Sequence, residues 1–366
     1  MGTKLLFSAV VLTSLLILTR GRPGTALAGE LSPSSGYKVL EPIQHGNLTV
    51  FPVIAVKSYD TKDFLTLDEG LRSGEVVVTE SGNLSPLVRP RHQQTYVPRG
   101  PIGGAQVNQL VLVNNSKRPL ILLAGEIVTG GKQDRIIGKD RLVPAESDPV
   151  DLSVFCVEPG RWTGTTAKFG GFSTTMAQPA IRAGAMADRD QAKVWSEVRN
   201  AQKAMAAPLA PPAAMEVTST SSYARVMQNE EVKKQVDSVA VPIQRSYESV
   251  IKQLRDRNAV GVVVAVNGEI IWADIFASTS LLQKYWPKLV RSYATEAMVN
   301  RAANRAVDVK AAQTFLEKMD GRRQVVETEP GLYRHTEITG DTFKAFELTS
   351  LLPKTGFDLH IAKMAE

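Results

Sequence analysis

The sequence predicts an α+β protein whose β-rich first half closes as a sandwich or barrel. Three observations carry this reading. Between residues 37 and 162, short runs rich in Val, Ile, Leu and Phe alternate with turn residues. From residue 188 to 257 the composition turns helical. The last third joins a β-hairpin to an amphipathic helix and then returns to β character, and strands followed by helices point to α+β.

Residues 48–56, 74–78, 107–113, 120–128 and 150–157 read as the strands of the first half. Asn114-Asn115-Ser116 is a turn signal, so 107–113 and 120–128 are expected to pair as a hairpin. Residues 120–128 are apolar on both faces, as in a central strand. Segment 163–185 is rich in Gly, Thr, Ser and Ala and reads as an ordered loop or a lid. Residues 188–206 look helical. Segment 207–222, with Pro208, Pro211 and Pro212 before a Ser/Thr run, reads as a linker.

A helix is expected over 230–257, broken near Pro242. In 259–276 two apolar runs flank Asn267-Gly268, a dipeptide suited to a type I′ turn because both positions need positive φ. The pairing would set Val266 opposite Glu269 and Val264 opposite Ile271. A helix follows from about Ser280, with Leu282, Tyr285, Trp286, Leu289, Tyr293 and Ala297 on one stripe and a bend at Pro287. Residues 323–363 return to β. The division is thus a leader at 1–28, a short tail at 29–36, one domain at 37–352 (parts 37–162, 163–222 and 223–352) and a C-terminal tail at 353–366.

The first 28 residues follow the plan of a secretory signal: Lys4, an uncharged apolar run over 5–18, and Ala26-Leu27-Ala28 before Gly29. The run is shorter than the roughly 20 residues a spanning helix needs. Arg20 and Arg22 between run and cleavage site are unusual, and an uncleaved tether or a misassigned start are the alternatives. Cleavage would leave 338 of the 366 residues in the periplasm or outside the cell. Losing Lys4, Arg20 and Arg22 with no acid lowers the net charge from +6 to +3. That near balance argues against nucleic acid as a partner. A single cysteine forbids an internal disulfide, and no later run suits a membrane span.

Residues 125–162 concentrate the chemistry: glycines, acids, a Lys-Gln-Asp-Arg run and the only cysteine lie between apolar runs. Gly125 to Gln133 resembles a phosphate loop, but an extra glycine precedes Lys132 and Gln133 replaces the magnesium-binding hydroxyl. Glu126, set on a strand among Leu122, Ala124 and Val128, must find a partner, with Lys132, Arg135 and Arg161 the nearby bases. It is a buried ion pair or a ligand-binding or acid–base group. Lys132-Gln133-Asp134-Arg135 and Arg161-Trp162 read as a solvated face or as forks and stacking surfaces for an anion. Glu158 completes the polar cluster. Cys156, alternating with Val154 and Glu158, reads as a core residue. Asp274 reads as a capping or pairing residue. His45, His92, His335 and His360 show no metal-ligand spacing, and no cofactor is implied.

An apolar strand with Gly125-Glu126, then Gly131 to Arg135, then Cys156-Val157-Glu158-Pro159-Gly160-Arg161-Trp162, resembles the ARPP-1 domain, as do the Val-Asn-Gly-Glu hairpin and its helix. The resemblance spans residues 37–352. The name, "ARG and rhodanese-phosphatase-superfamily-associated protein", ARG being ADP-ribosylglycohydrolase, implies genomic association with ADP-ribose-related enzymes and transfers no catalytic residue. The export signal sits awkwardly with that link, because NAD-derived ligands are mostly cytoplasmic. The expected function is a non-catalytic binding or interaction domain of the cell envelope, with an unknown small molecule or an envelope protein as partner. The alternative is a hydrolase of a small polar or anionic substrate, with Glu126 or Glu158 as general base. A third possibility is an assembly protein whose segment 163–222 engages a partner.

Overall fold

The computed structural model describes residues 36–80, 109–160, 168–171, 176–254, 258–302 and 305–366. The expected signal 1–28, and Arg161 and Trp162 of the polar cluster, lie outside them. The chain opens with β1 (Tyr37–Val39), β2 (Ile43–His45) and β3 (Leu48–Ala55). β4 (Leu65–Thr66) runs into α1 (Leu67–Ser73), where Thr66 and Glu69 cap each other's amides reciprocally. Then come β5 (Val76–Glu80), β6 (Gln109–Asn114), β7 (Leu120–Leu122), β8 (Ile127–Gly130), β9 (Arg135–Ile137), β10 (Arg141–Val143), β11 (Val150–Cys156) and β12 (Lys168–Gly171).

Six of these strands close a barrel in the order β11-β6-β5-β12-β8-β9. Val76, Val78, Leu112, Val128, Ile137, Leu152, Val154 and Phe169 belong to its core. Alternate residues on each strand point inward, which explains why the apolar runs are short and β-branched. A three-stranded sheet, β10-β7-β4, adds Leu65, Leu120, Leu122 and Val143 to the same core.

The expected hairpin of 107–113 with 120–128 does not form. β6 pairs with β5 and β11, while β7 pairs with β10 and β4. Residues 120–128 are two strands, not one. Gly125, at φ +100°, turns the backbone between β7 and β8 and sends the chain from the small sheet into the barrel.

The helical part begins with α2 (Pro179–Ala183), which passes into a π-helical turn at Gly184–Asp188. It continues with α3 (Gln191–Ala206), α4 (Pro211–Ser219), α5 (Tyr223–Gln228) and α6 (Glu230–Gln253). Segment 163–185, read as a loop or lid, thus contains β12 and α2. Segment 207–222, read as a linker, holds α4: Pro211 and Pro212 fall in its first turn, where a missing N–H breaks no bond. Pro242 does not end α6, whose stripe Val232, Val236, Ala240, Ile243 and Tyr247 is buried on both sides of it.

β13 (Asn258–Val266) and β14 (Glu269–Phe276) form the expected hairpin, with φ of +57° at Asn267 and +82° at Gly268. Val266 faces Glu269 as predicted. A bulge between Val264 and Ala265 then shifts the ladder, so Val264 faces Trp272 rather than Ile271. α7 (Thr279–Val299) buries the predicted stripe, and α8 (Val309–Glu317) follows. β15 (Arg322–Glu329), β16 (Tyr333–Thr339), β17 (Phe343–Ser350) and β18 (Asp358–Ala365) complete the chain.

These strands join β1, β3, β13 and β14 in one antiparallel sheet, ordered β1-β3-β13-β14-β18-β17-β16-β15, with β2 on β3. Segment 353–366, set apart on sequence as a tail, supplies β18 between β14 and β17. One face of this sheet packs on α6 and α7 in a core shared with Leu123, Ile127 and Ile136 of the first half. The other face is covered by Ala312 and Leu316 of α8.

Candidate functional site

Glu80 ends β5, Gly130 ends β8, Arg135 begins β9 and Cys156 ends β11, so all four lie on one rim of the barrel. The polar run, read as a solvated face or an anion site, is folded into that rim. Gln133, Asp134, Arg135 and Glu158 are buried, and only Lys132 is half exposed.

Each acid of the rim is engaged by main chain. The Lys132 amide donates to Glu80 Oε1 at 3.0 Å, and the Gly130 amide to Asp134 Oδ1 at 3.0 Å. The Asp134 amide donates to Glu158 Oε2 at 3.1 Å. The Ser222 hydroxyl, which also caps α5, donates to Asp134 Oδ2 at 2.7 Å. Gln133 Nε2 donates to the Glu158 carbonyl at 3.1 Å. Gln191, first residue of α3, exchanges two bonds of 2.8 Å with the backbone of Cys156. The loop is stitched to β11, α3 and α5.

Burial lowers the pKa of the Arg135 guanidinium, against the pull of Cys156, Glu80, Asp134 and Glu158. Burial likewise pushes the Cys156 thiol up, more than the Glu158 amide and Arg135 pull it down. That is the setting of a core thiol rather than an activated nucleophile.

Glu126 is not part of this rim. It sits in the turn before β8 and points at α7. Oε2 accepts from the Leu123 amide at 2.7 Å, and Oε1 meets Lys288 Nζ at 2.6 Å. Lys288 also bonds Asp68 of α1 at 2.7 Å. Burial raises the Glu126 pKa. Burial also opposes the Lys288 charge, but Glu126 and Asp68 outweigh it and hold the ammonium on. The bases nearest in sequence, Lys132, Arg135 and Arg161, were the expected partners. The actual one lies 162 positions away.

A second buried network adjoins the same turn. Arg182 of α2 grips Asp274 of β14 with two bonds of 2.9 Å, donates from Nε to the Ala124 carbonyl at 3.2 Å, and stacks on Trp272 at 4.4 Å. His360 of β18 spans Asp140 and Asp274 at 2.6 and 3.0 Å, and the Tyr293 hydroxyl donates to Asp274. Asp140 Oδ1 accepts from the Ala124 amide at 2.7 Å. Burial works against the Asp274 carboxylate, but Arg182 and His360 hold its pKa well below the usual range. His360, despite burial, is pushed up to about 9 by Asp140 and Asp274.

The sequence matches a family model across residues 36–362: ARPP-1, the ARG and Rhodanese-Phosphatase-superfamily-associated Protein domain. The chain belongs to the ARPP-1 family. No curated protein and no solved structure matches it.

The ARPP-1 domain therefore gathers Lys132, Gln133, Asp134, Arg135 and Glu158 at one barrel rim, and sends Glu126 elsewhere. Sequence reasoning missed Glu80, Ser222 and Gln191 at the rim, and Asp68, Lys288, Arg182, Asp140, Tyr293 and His360 in the two networks. One signal existed. Leu281, Tyr285, Lys288, Ser292 and Glu296 fall at helical spacing on α7 and are all buried, so a lysine in that stripe demanded a buried acid. Among the described residues, no three His, Cys, Asp or Glu side chains are grouped to hold a metal.

Proposed function

We propose that this ARPP-1 protein is exported to the periplasm or cell exterior and acts there as a binding or interaction domain without catalysis of its own. Its partner would be a small molecule or an envelope protein. One observation carries the non-catalytic part. Glu126, Asp134, Asp140 and Glu158, the four buried carboxylates of the polar segment, each accept a hydrogen bond from a backbone amide of the fold. A general base must reach substrate, and these four are buried and tied to turns and strand ends. Export rests on the sequence plan of residues 1–28.

A hydrolase reading would rest on a different residue. Glu296 of α7 is likewise buried and tied to the Ala180 amide at 3.0 Å, but burial pushes its pKa up to about 7, in the range that suits proton transfer near neutrality.

A thermal-shift and turnover panel on the full chain tests both readings. It includes nucleotides, ADP-ribose, sugars, amino acids and peptidoglycan fragments. The proposal expects at most saturable stabilisation with every compound recovered intact. A ligand at 100 times its dissociation constant adds about 2.7 kcal/mol. Turnover abolished by Glu296→Gln, Glu126→Gln or Glu158→Gln would establish the hydrolase instead.

A further inference from the structure

The two edges of the large sheet are treated differently. β1 is three residues long, and Gln313 of α8 bonds its backbone on both sides, accepting from the Val39 amide at 2.7 Å and donating to the Tyr37 carbonyl at 3.1 Å. That is how a sheet edge is shut. β15 is eight residues long, and Arg322, Arg323, Gln324 and Val325 are exposed. Among the described residues, nothing hydrogen-bonds the outward backbone groups of β15. Val325, in mid-strand, is 51% exposed.

The order of side chains on this edge is self-complementary. Arg322 and Arg323 stand at one end, Glu327 and Glu329 at the other; Glu327 is already bonded to Lys139 and Tyr333, whereas Glu329, with its side chain 47% exposed, has Arg141 no nearer than 3.9 Å. Charges of one sign would repel any second copy, whereas segregated charges attract one that runs antiparallel. The register against β16 sharpens the point. Arg322 faces Thr339, Gln324 faces Glu337, Glu327 faces His335 and Glu329 faces Tyr333, with a bulge between Val325 and Glu327. The bulge makes Val325 and Val326 occupy one ladder position. β15 therefore has seven positions with the valines at the centre, and Arg322, Gln324, Glu327 and Glu329 share one face.

A two-fold axis through an antiparallel strand pair requires a position to face its own copy. Centred on the valines, that register sets Arg322 opposite Glu329, Arg323 opposite Thr328 and Gln324 opposite Glu327 of the second copy. Every residue keeps its face, and the whole strand, seven ladder positions or about 24 Å, is paired. Without the bulge, Arg322 and Glu329 would project to opposite faces.

We propose that the chain forms a homodimer by antiparallel pairing of β15 with β15 across a two-fold axis, joining the two large sheets edge to edge. Sedimentation velocity of the full chain over a concentration series tests it, with circular dichroism confirming that each variant is folded. The wild type should show a concentration-dependent dimer. Arg322→Glu should weaken it about tenfold, because two attractive pairs become repulsive. Glu329→Arg should do the same, and the double variant Arg322→Glu/Glu329→Arg should restore it. A wild type that stays monomeric throughout, a dimer indifferent to either charge reversal, or a folded double variant that fails to recover would each overturn the proposal. In the first case the edge is left to a strand of another protein, or to none.

Discussion

Arg182 and Asp274 form a fork of two parallel bonds, each 2.9 Å, and neither side chain reaches water. The pair joins the short helix α2 to an interior strand of the large sheet. Breaking one side strands the other charge. Asp274→Ala is therefore expected to cost about 3–5 kcal/mol in urea unfolding. Replacing both partners by apolar residues of similar size should cost far less than that single change.

His360 gives the chain an alkaline weakness. Its folded pKa, about 9, lies above the ordinary 6.5. The stability it contributes is complete below about pH 6.5 and is lost as pH rises through 9. Glu296 has the same sign: raised from 4.5 to about 7, it contributes fully below 4.5 and nothing above 7. Asp140, held down by His360 against burial, contributes above its ordinary 3.8 and loses that as pH falls. Lys363, pushed down to about 8 by burial, penalises folding below 8 and relieves it above. His335, lowered by burial, works the other way and penalises folding below its ordinary 6.5. The melting temperature should therefore decline most clearly between about pH 6.5 and 8. Glu296→Gln should flatten the part of the decline below pH 7 and leave the rest.

Gly125 is the hinge between the small sheet and the barrel. Its φ is +100°, and an added Cβ would lie 2.6 Å from Cγ of Arg182. Gly125→Ala combines backbone strain with overpacking, and should destabilise by on the order of 2 kcal/mol. A surface control, Gly36→Ala, meets nothing within 4 Å and should stay within about 0.5 kcal/mol.

Cys156 is fully buried and its thiol is pushed up. Iodoacetamide at neutral pH should label the native chain far more slowly than the urea-unfolded chain. Rapid native labelling would show an accessible thiol and revive a nucleophile at the rim.

What the sequence revealed follows from the range of the forces involved. Asn267-Gly268 was legible because only such residues take two successive positive φ values cheaply. The stripe of α7 was legible because burial of one helical face leaves a periodic record. The break at Leu123–Glu126 was not, since an apolar run looks the same whether it stays straight or turns at a glycine. α4 was hidden by prolines that are harmless in a first turn. The polar cluster was legible as a place, and Glu126 as a buried ion pair, but its partners were not, because they lie on distant elements. Lys288 reaches Glu126 from α7, and His360 reaches Asp140 from the last strand. Spacing along a chain cannot report contacts that only tertiary folding creates.

A double-mutant cycle between Glu126 and Lys288 tests most directly whether the buried charges of the polar segment are mutual supports. Glu126→Gln, Lys288→Met and the double variant would be unfolded in urea side by side. The account predicts costly single changes, about 3 kcal/mol or more for Lys288→Met, which abandons Glu126 and Asp68. The double change should cost clearly less than the sum, with a coupling of at least about 1 kcal/mol. Additive effects, or cheap single changes, would mean that the pair does not hold the fold and that Glu126 is free to serve another purpose.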